Sequence, residues 1–387
     1  MQDTSDSALY ALKKIRCPFG QESVSQALKE VEAYTLFAPH PNIIHCVDHA
    51  VQTDSSTRVS GIGDTGGASK TVYILLPYYR RGNLQDAINA NLVNHTRFGE
   101  RRLMQLMLGV CKALKVMHQY RVRPTNPNAS SRAAAKAVRN EAAAEDADAA
   151  RRRARTQKRT MTADQKHQEE LAEEQEQPLM PDEVTKAQEG VAIGDERPYA
   201  HRDIKPGNIM IDDDGRTPIL MDLGSLAPSP TPITSRSLAL AVQDTAAEHS
   251  TMPYRAPELF DVKTGSVIDT KVDIWSLGCT MYACLIGKSP FEARSDETGG
   301  SLSICVLGGD WRWPGEGNAS KGKGKPANGD ANAPNPPLYP SEPVREIVRR
   351  CLQVEPSERP DVDELMTMID SALEVLPQDE NVELPAV

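Results

Sequence analysis

HRDIKPGN at residues 201–208, followed by MDLG at 221–224, decides how this chain is read. The octet sets an acid, Asp203, a cation, Lys205, and an amide, Asn208, in one short loop; Asp222 follows after a strand-like run. Moving a phosphoryl group from a magnesium nucleotide to a hydroxyl calls for those residue types. A carboxylate accepts the hydroxyl proton, a cation meets the charge developing on the γ-phosphoryl, and oxygen ligands hold Mg²⁺. Asp203 and Lys205 suit the first two roles, and Asn208 with Asp222 the third. A lone HxD triplet would carry little, since short polar triplets arise in any loop; the whole octet followed by DLG is far more specific.

Working outward, the 387 residues can bury a large core as one large or two smaller domains. Aromatic residues make up only 5% and long stretches are rich in Ala, Glu, Arg, Gly and Pro, so the folded part is shorter than the chain. A net charge of −10 argues against broad binding of nucleic acid, whose phosphates demand a basic face. The seven cysteines (Cys17, Cys46, Cys111, Cys279, Cys284, Cys305, Cys351) form no CxxC pair and lie mostly in apolar runs. They predict buried reduced thiols and an intracellular, cytoplasmic protein without disulfides. No apolar run approaches the roughly eighteen residues of a bilayer span, and MQDTSDSALY lacks the regions of a signal peptide. Gln2, where myristoylation needs Gly, completes the expectation that nothing in this chain anchors it to a membrane.

The hydrophobic pattern predicts a mixed α+β fold. Leu9 to Ile15 reads as a strand carrying lysine, and Val24 to Phe37 as a helix with Leu28, Val31, Tyr34 and Phe37 at helical spacing. HPNII at 40–44 and TVYILLPYY at 71–79 are two further strand candidates, separated by a turn-rich stretch from Thr53 to Ser69. Arg101 to His118 begins a helical lobe. Between Arg121 and Arg197 large apolar residues nearly vanish, which predicts a solvated insertion. Its basic run, Arg151, Arg152, Arg153, Arg155, Lys158 and Arg159, is either a solvated face or a signal for the nucleus or an acidic partner. Gly315 to Pro337 reads as a flexible surface loop. Helices are expected over 237–251, over 272–287 as the apolar axis of the core, and over 344–352 and 362–376 as amphipathic closures. The expected organisation is a partial small lobe at 1–79, the start of the helical lobe at 80–120, the insertion at 121–197, the rest of the helical lobe at 198–377 and a tail at 378–387.

HRDIKPGN, DLG, YRAPEL at 254–259, DIWSLGC at 273–279 and RP at 359–360 stand in the order of the eukaryotic protein kinases, which the chain resembles over nearly everything outside the insertions. YALKKI, ILLPYYRRGNL, YAHRDIKPGNIMI, LMDLGS, AVQDTAA and YRAPELF narrow the resemblance to the Numb-associated kinase family. It implies a bilobal fold, ATP and Mg²⁺ as cofactors, and protein substrates bearing serine or threonine. YALK matches the family's strand motif with Lys13 as the cation on the α/β-phosphates. Lys14 competes for that role, but alternate side chains of a strand share a face, and the expected adenine contact Ala11 lies with Lys13. The helix carboxylate that holds the lysine is Glu30 or Glu32, with Glu30 at the better spacing from Tyr34 and Phe37.

The resemblance further implies that Leu76 is the gatekeeper, Pro77 offers only its carbonyl to adenine, Tyr79 offers both N–H and C=O, and Met210 floors the pocket. Lys205 marks the serine/threonine class, with Thr251 shaping the pocket for the substrate hydroxyl. Glu258 and Arg359 match a buried structural ion pair, and Asp273 the carboxylate that holds the catalytic-loop backbone. In the segment from Asp222 to Glu258, Arg202 is either a clamp for a phosphorylated Ser225, Ser229, Thr231, Thr234 or Ser235, or redundant beside a helix ordered without phosphate.

One part of the pattern is missing. No GxGxxGxV precedes Lys13, so the small lobe is expected to be incomplete, with the lysine strand at an unpaired edge. Two lost backbone contacts to phosphate would cost about 3 to 6 kcal/mol. The expectation is a truncated chain whose longer parent is active, N-acylated and associated with the Golgi or another membrane. Two rival readings are a pseudokinase scaffold binding partners through its helical lobe and insertion, and an adaptor built on the basic run. Retention of Asp203, Asn208 and Asp222 favours the enzyme.

Overall fold

The computed structural model describes residues 9–18, 21–53, 70–122, 194–314 and 340–378. The basic run, nearly all of the insertion, the turn-rich stretch after Thr53 and the loop at 315–337 lie outside them. The chain divides into two compact units, Met1–Tyr120 with Arg197–Val387, and Arg121–Glu196. The described ends of the second unit are tied together. Arg121 bridges to Glu196 and pairs with its carboxylate, and the amides of Val122 and Gly194 close the neck on Asp195 and Val122 carbonyls at 3.0 and 2.9 Å.

The first unit starts with a three-stranded antiparallel sheet of β1 (Tyr10–Cys17), β2 (Asp48–Thr53) and β3 (Lys70–Pro77), in the order β1-β3-β2. Strand β1 is an edge, as expected, although β3 pairs it along its whole length, with Ala11 opposite Leu76 and Lys13 opposite Ile74. Period-two alternation buries Val72, Ile74 and Leu76. Over that face lies helix α1 (Gln21–Leu36), whose Val24, Ala27, Val31 and Tyr34 recur at helical spacing and are buried. Two corrections concern this lobe. HPNII is not a strand: after His40 and Pro41 the chain turns, and Ile43 makes only an isolated parallel bridge to Leu220. The amide of Ile44 donates to Leu220 O at 2.9 Å and that of Leu220 to Asn42 O at 2.8 Å, so the segment bolts the small lobe to the large one. Conversely, the polar stretch DHAVQT forms β2, with all six residues exposed and its pairing supplied by β3.

The helical lobe opens with α2 (Leu84–Asn94), started by a capping box between Asn83 and Asp86. Helix α3 (Glu100–His118) buries Leu103, Leu106, Met107, Val110, Leu114 and Met117 along one stripe. Short ladders follow: β4 (Tyr199–Ala200), β5 (Ile209–Ile211) with β6 (Pro218–Leu220), β7 (Ala227–Pro228) on β4, and β8 (Thr231–Pro232) on β9 (Val267–Ile268). Helix α4 (Arg236–His249) lies between β8 and β9 in sequence. The axis of the lobe is α5 (Lys271–Ile286), buried from Val272 to Cys284 as its unbroken apolar run predicts. Helix α6 (Pro290–Thr298) starts on a Ser289/Glu292 capping box, and α7 (Leu302–Leu307) follows. Helices α8 (Glu342–Cys351) and α9 (Val362–Val375) close the lobe against α5 and α3. Gly278 of α5 is where α8 comes closest: a Cβ there would sit 2.6 Å from Cβ of Cys351. Six of the seven cysteines are buried and all are free, with Cys46 half-buried. No described helix is long and apolar enough to cross a membrane.

Candidate active site

The loop between β4 and β5 carries the octet, and its acid is held from several sides. Asp203 Oδ1 accepts from the Thr251 amide at 2.8 Å; Oδ2 accepts from Lys205 Nζ at 2.7 Å and Asn208 Nδ2 at 2.9 Å. A carboxylate offers about four lone-pair sites, so three donors fix its orientation and leave one for an incoming hydroxyl. Lys205 Nζ also donates to Thr251 Oγ1 at 2.6 Å, which puts the cation, the acid and the threonine hydroxyl around one spot. Asn208 spends its amide N–H₂ on Asp203, leaving Oδ1 for a cation. Its carbonyl accepts the Met221 amide at 2.9 Å, which brings Asp222 beside it.

Asp222, at φ 61°, joins the second cluster. Lys13 Nζ of β1 lies 2.7 Å from Glu30 Oε1 and 2.9 Å from Asp222 Oδ1. Burial alone would lower the pKa of the Lys13 ammonium, but the charges of Glu30 and Asp222 outweigh it and the value lies above the ordinary one. Burial pushes the Asp222 carboxyl up, and Lys13 more than reverses this, leaving it below the ordinary range. Of the competing residues, Lys14 points to the opposite face, over the Tyr73 ring at 5.6 Å, and Glu32 is exposed.

Among the described residues no group of three or more His, Cys, Asp or Glu forms a metal cage. Mg²⁺ in a nucleotide site takes one or two protein oxygens, with the substrate's phosphates and water. Asp222 and the Asn208 amide oxygen supply that donor set.

The adenine-side residues follow the sheet. Ala11 and Leu76 face each other across the β1/β3 ladder, with Leu76 buried and Ala11 half-buried. Pro77 ends β3, and Tyr79 is half-buried just beyond it, its carbonyl accepting Gly82 N at 3.3 Å. Met210, half-buried in β5, bridges to Asn83 and pairs with Ile219.

Of the supporting residues, Asp273 and Arg359 are fully buried. Asp273 takes the amides of His201 and Arg202, both at 2.8 Å, and His118 Nε2 at 2.9 Å. Burial raises its pKa, and the His118 hydrogen bond and neighbouring charges pull it net below the ordinary value. Glu258 and Arg359 form a two-point ion pair at 2.7 and 2.8 Å. Arg359 also stacks over Trp275 and donates to the Gln353 and Val354 carbonyls. Arg202, at φ 68°, reaches Thr231 Oγ1 at 3.2 Å, while Ser225 is committed to His201 O and Ser235 caps α4.

Two members of the site carry no sequence motif. His118 ends the helix expected over 101–118 and Tyr34 is one of the helically spaced residues of 24–37; the first holds Asp273 and the second donates its hydroxyl to Glu30. The i, i+4 spacing of Glu30 and Tyr34 was the available signal for the latter.

A two-lobed α+β body with the acid loop and the lysine, glutamate and aspartate cluster in one unit is the arrangement of a phosphotransferase of the kinase class. Residues 1–123 and 158–369 match the family model described as protein kinase domain, and the chain belongs to that family. It is 32% identical to the serine/threonine-protein kinase ENV7 of Saccharomyces cerevisiae over 93% of this chain and 81% of the relative. It is 29% identical to the serine/threonine-protein kinase ppk13 of Schizosaccharomyces pombe, over 96% and 85%. With the human serine/threonine-protein kinase 16 it shares 25% over 95% and 82%.

Proposed function

We propose that the chain transfers the γ-phosphoryl of ATP to serine and threonine hydroxyls of protein substrates. The observation that carries this is Asp203, oriented by three donors beside Lys205 and Thr251, in the same fold unit as the Lys13, Glu30 and Asp222 cluster. Asp203 receives the hydroxyl proton at its remaining lone pair, and Lys205 stands ready for charge on the transferred group. Lys13 is held for the α/β-phosphates, Leu76 and Ala11 bound the adenine side, and the carbonyl of Pro77 with the backbone of Tyr79 reads the adenine edge. Asp222 and Asn208 would hold Mg²⁺, which would supply neutralisation of the phosphate charge. The names of the relatives support the serine/threonine class. Helix α4, inside the segment from Asp222 to Glu258, supports a place among the Numb-associated kinases.

The test is transfer of radiolabelled phosphate from Mg·ATP to a generic protein substrate, wild type beside Asp203→Asn. The variant is expected to lose about 10²- to 10⁴-fold. Equal incorporation by both proteins would overturn the proposal.

A further inference from the structure

Tyr34 is 1% exposed, so a phenylalanine would fill its place equally well. The informative atom is the hydroxyl. It donates to Glu30 Oε1, the same oxygen that takes Lys13 Nζ at 2.7 Å, and the backbone amide of Leu223 faces it from the DLG turn. The other oxygen of Glu30 also meets that turn, since a Cβ on Gly224 would lie 3.5 Å from both Glu30 Oε2 and Asp222 Oδ1. One phenol therefore joins α1, the lysine strand and the Asp222 turn.

A buried carboxylate is stable only while donors surround it, and bonds to an ionised acceptor are the stronger kind. The side chain of Glu30 is 6% exposed and, among the described residues, its side-chain donors are the ammonium of Lys13 and the hydroxyl of Tyr34. Lys13 is shared with Asp222 and is the group the nucleotide engages; Tyr34 is locked by packing. Burial first, then the charge of Glu30, raises the phenol's pKa well above its ordinary value, so it stays a donor at every working pH.

We propose that the Tyr34 hydroxyl is a positioning group for nucleotide binding, holding the Glu30 carboxylate, and through it Lys13, in the orientation that receives the phosphates. This rests on the kinase reading of Lys13.

The test is a double-mutant cycle of Tyr34→Phe and Glu30→Gln, read by calorimetry with Mg·ATP and by amide hydrogen exchange on nucleotide-free protein. Tyr34→Phe is expected to weaken Mg·ATP about tenfold, with a small fall in melting temperature from the lost donor to the buried carboxylate. Added to Glu30→Gln, it should weaken binding no further, because the hydroxyl then has no carboxylate to orient. Residues 221–226 should exchange about tenfold faster in Tyr34→Phe, while Val362–Val375 stays as in wild type. Wild-type affinity and exchange in Tyr34→Phe, or equal weakening in both backgrounds, would overturn the proposal. If the wild type itself binds no Mg·ATP, the kinase reading fails, and the exchange comparison alone decides the role of Tyr34.

Discussion

Asp273 and Lys13 each organise half of the active site, and they do it under opposite conditions. The side chain of Asp273 is 0% exposed and its donors are all protein groups; those of Lys13 and Asp222 are 33% and 38% exposed, and their pairing stands open to solvent. The first arrangement is set when the chain folds. The second is free to exchange partners, because an exposed ion pair is worth little and yields easily. Two non-glycine residues in the left-handed region mark the division: Arg202, at φ 68°, is tied down by Asp273, while Asp222, at φ 61°, is held by Lys13. Each such residue costs of order 1–3 kcal/mol, offset at Arg202 by a bond to a carboxylate that is 0% exposed and at Asp222 by a pair whose members are about a third exposed.

This contrast can be broken experimentally. Asp273→Ala leaves buried donors unpaired and is expected to lose about 3–5 kcal/mol of stability, measured by urea unfolding, along with phosphotransfer. Lys13→Met should act mainly on activity: phosphotransfer falls about 10²-fold, while stability falls by about 1–2 kcal/mol, less than in Asp273→Ala, because the buried Glu30 keeps the Tyr34 hydroxyl. If Lys13→Met proves as destabilising as Asp273→Ala, the two halves are not distinct. His118→Ala removes one of the three donors and should cost about 1–3 kcal/mol, with faster hydrogen exchange at the amides of His201 and Arg202.

The smallest effect is on pH dependence. The pKa of Asp222 is depressed on folding, so its contribution is present above its ordinary value of 3.8 and is lost as pH falls through the lower folded value. Lys13 is raised, so its contribution is complete below 10.5 and disappears as pH rises through the higher folded value. Asp222→Asn should therefore flatten both limbs of the stability profile slightly, as thermal melts carried below pH 3.8 and above pH 10.5 would show; an unchanged profile would mean that the pair is fully screened.

Much of the site was legible because kinase chemistry is concentrated in contiguous stretches. HRDIKPGN brings Asp203, Lys205 and Asn208 together in one loop, DLG and YRAPE add Asp222 and Glu258, and strand alternation separated Lys13, which meets Glu30 and Asp222, from Lys14. Residues whose roles depend on long-range partners were hidden. His118 meets Asp273 across 155 positions, and nothing near either residue announces the other. Strand β2 escaped because all its residues are exposed and it has no alternation to detect. Helix α2 went unread, although its Asn83/Asp86 cap and the buried stripe of Leu84, Ala87 and Ile88 both mark it. HPNII misled for the opposite reason: Ile43 and Ile44 are buried, but by a turn that docks on Leu220 and not by a ladder.

The close approach at Gly278 has a consequence of its own. Helix α5 carries Gly278 one face away from Asp273, so crowding at the back of the lobe would be felt at the catalytic loop. Alanine at 278 would push α8 outward and loosen the anchor of that loop in the same motion. Position 278 is therefore where a heat-sensitive allele should be sought, one that works in the cold and fails on modest warming.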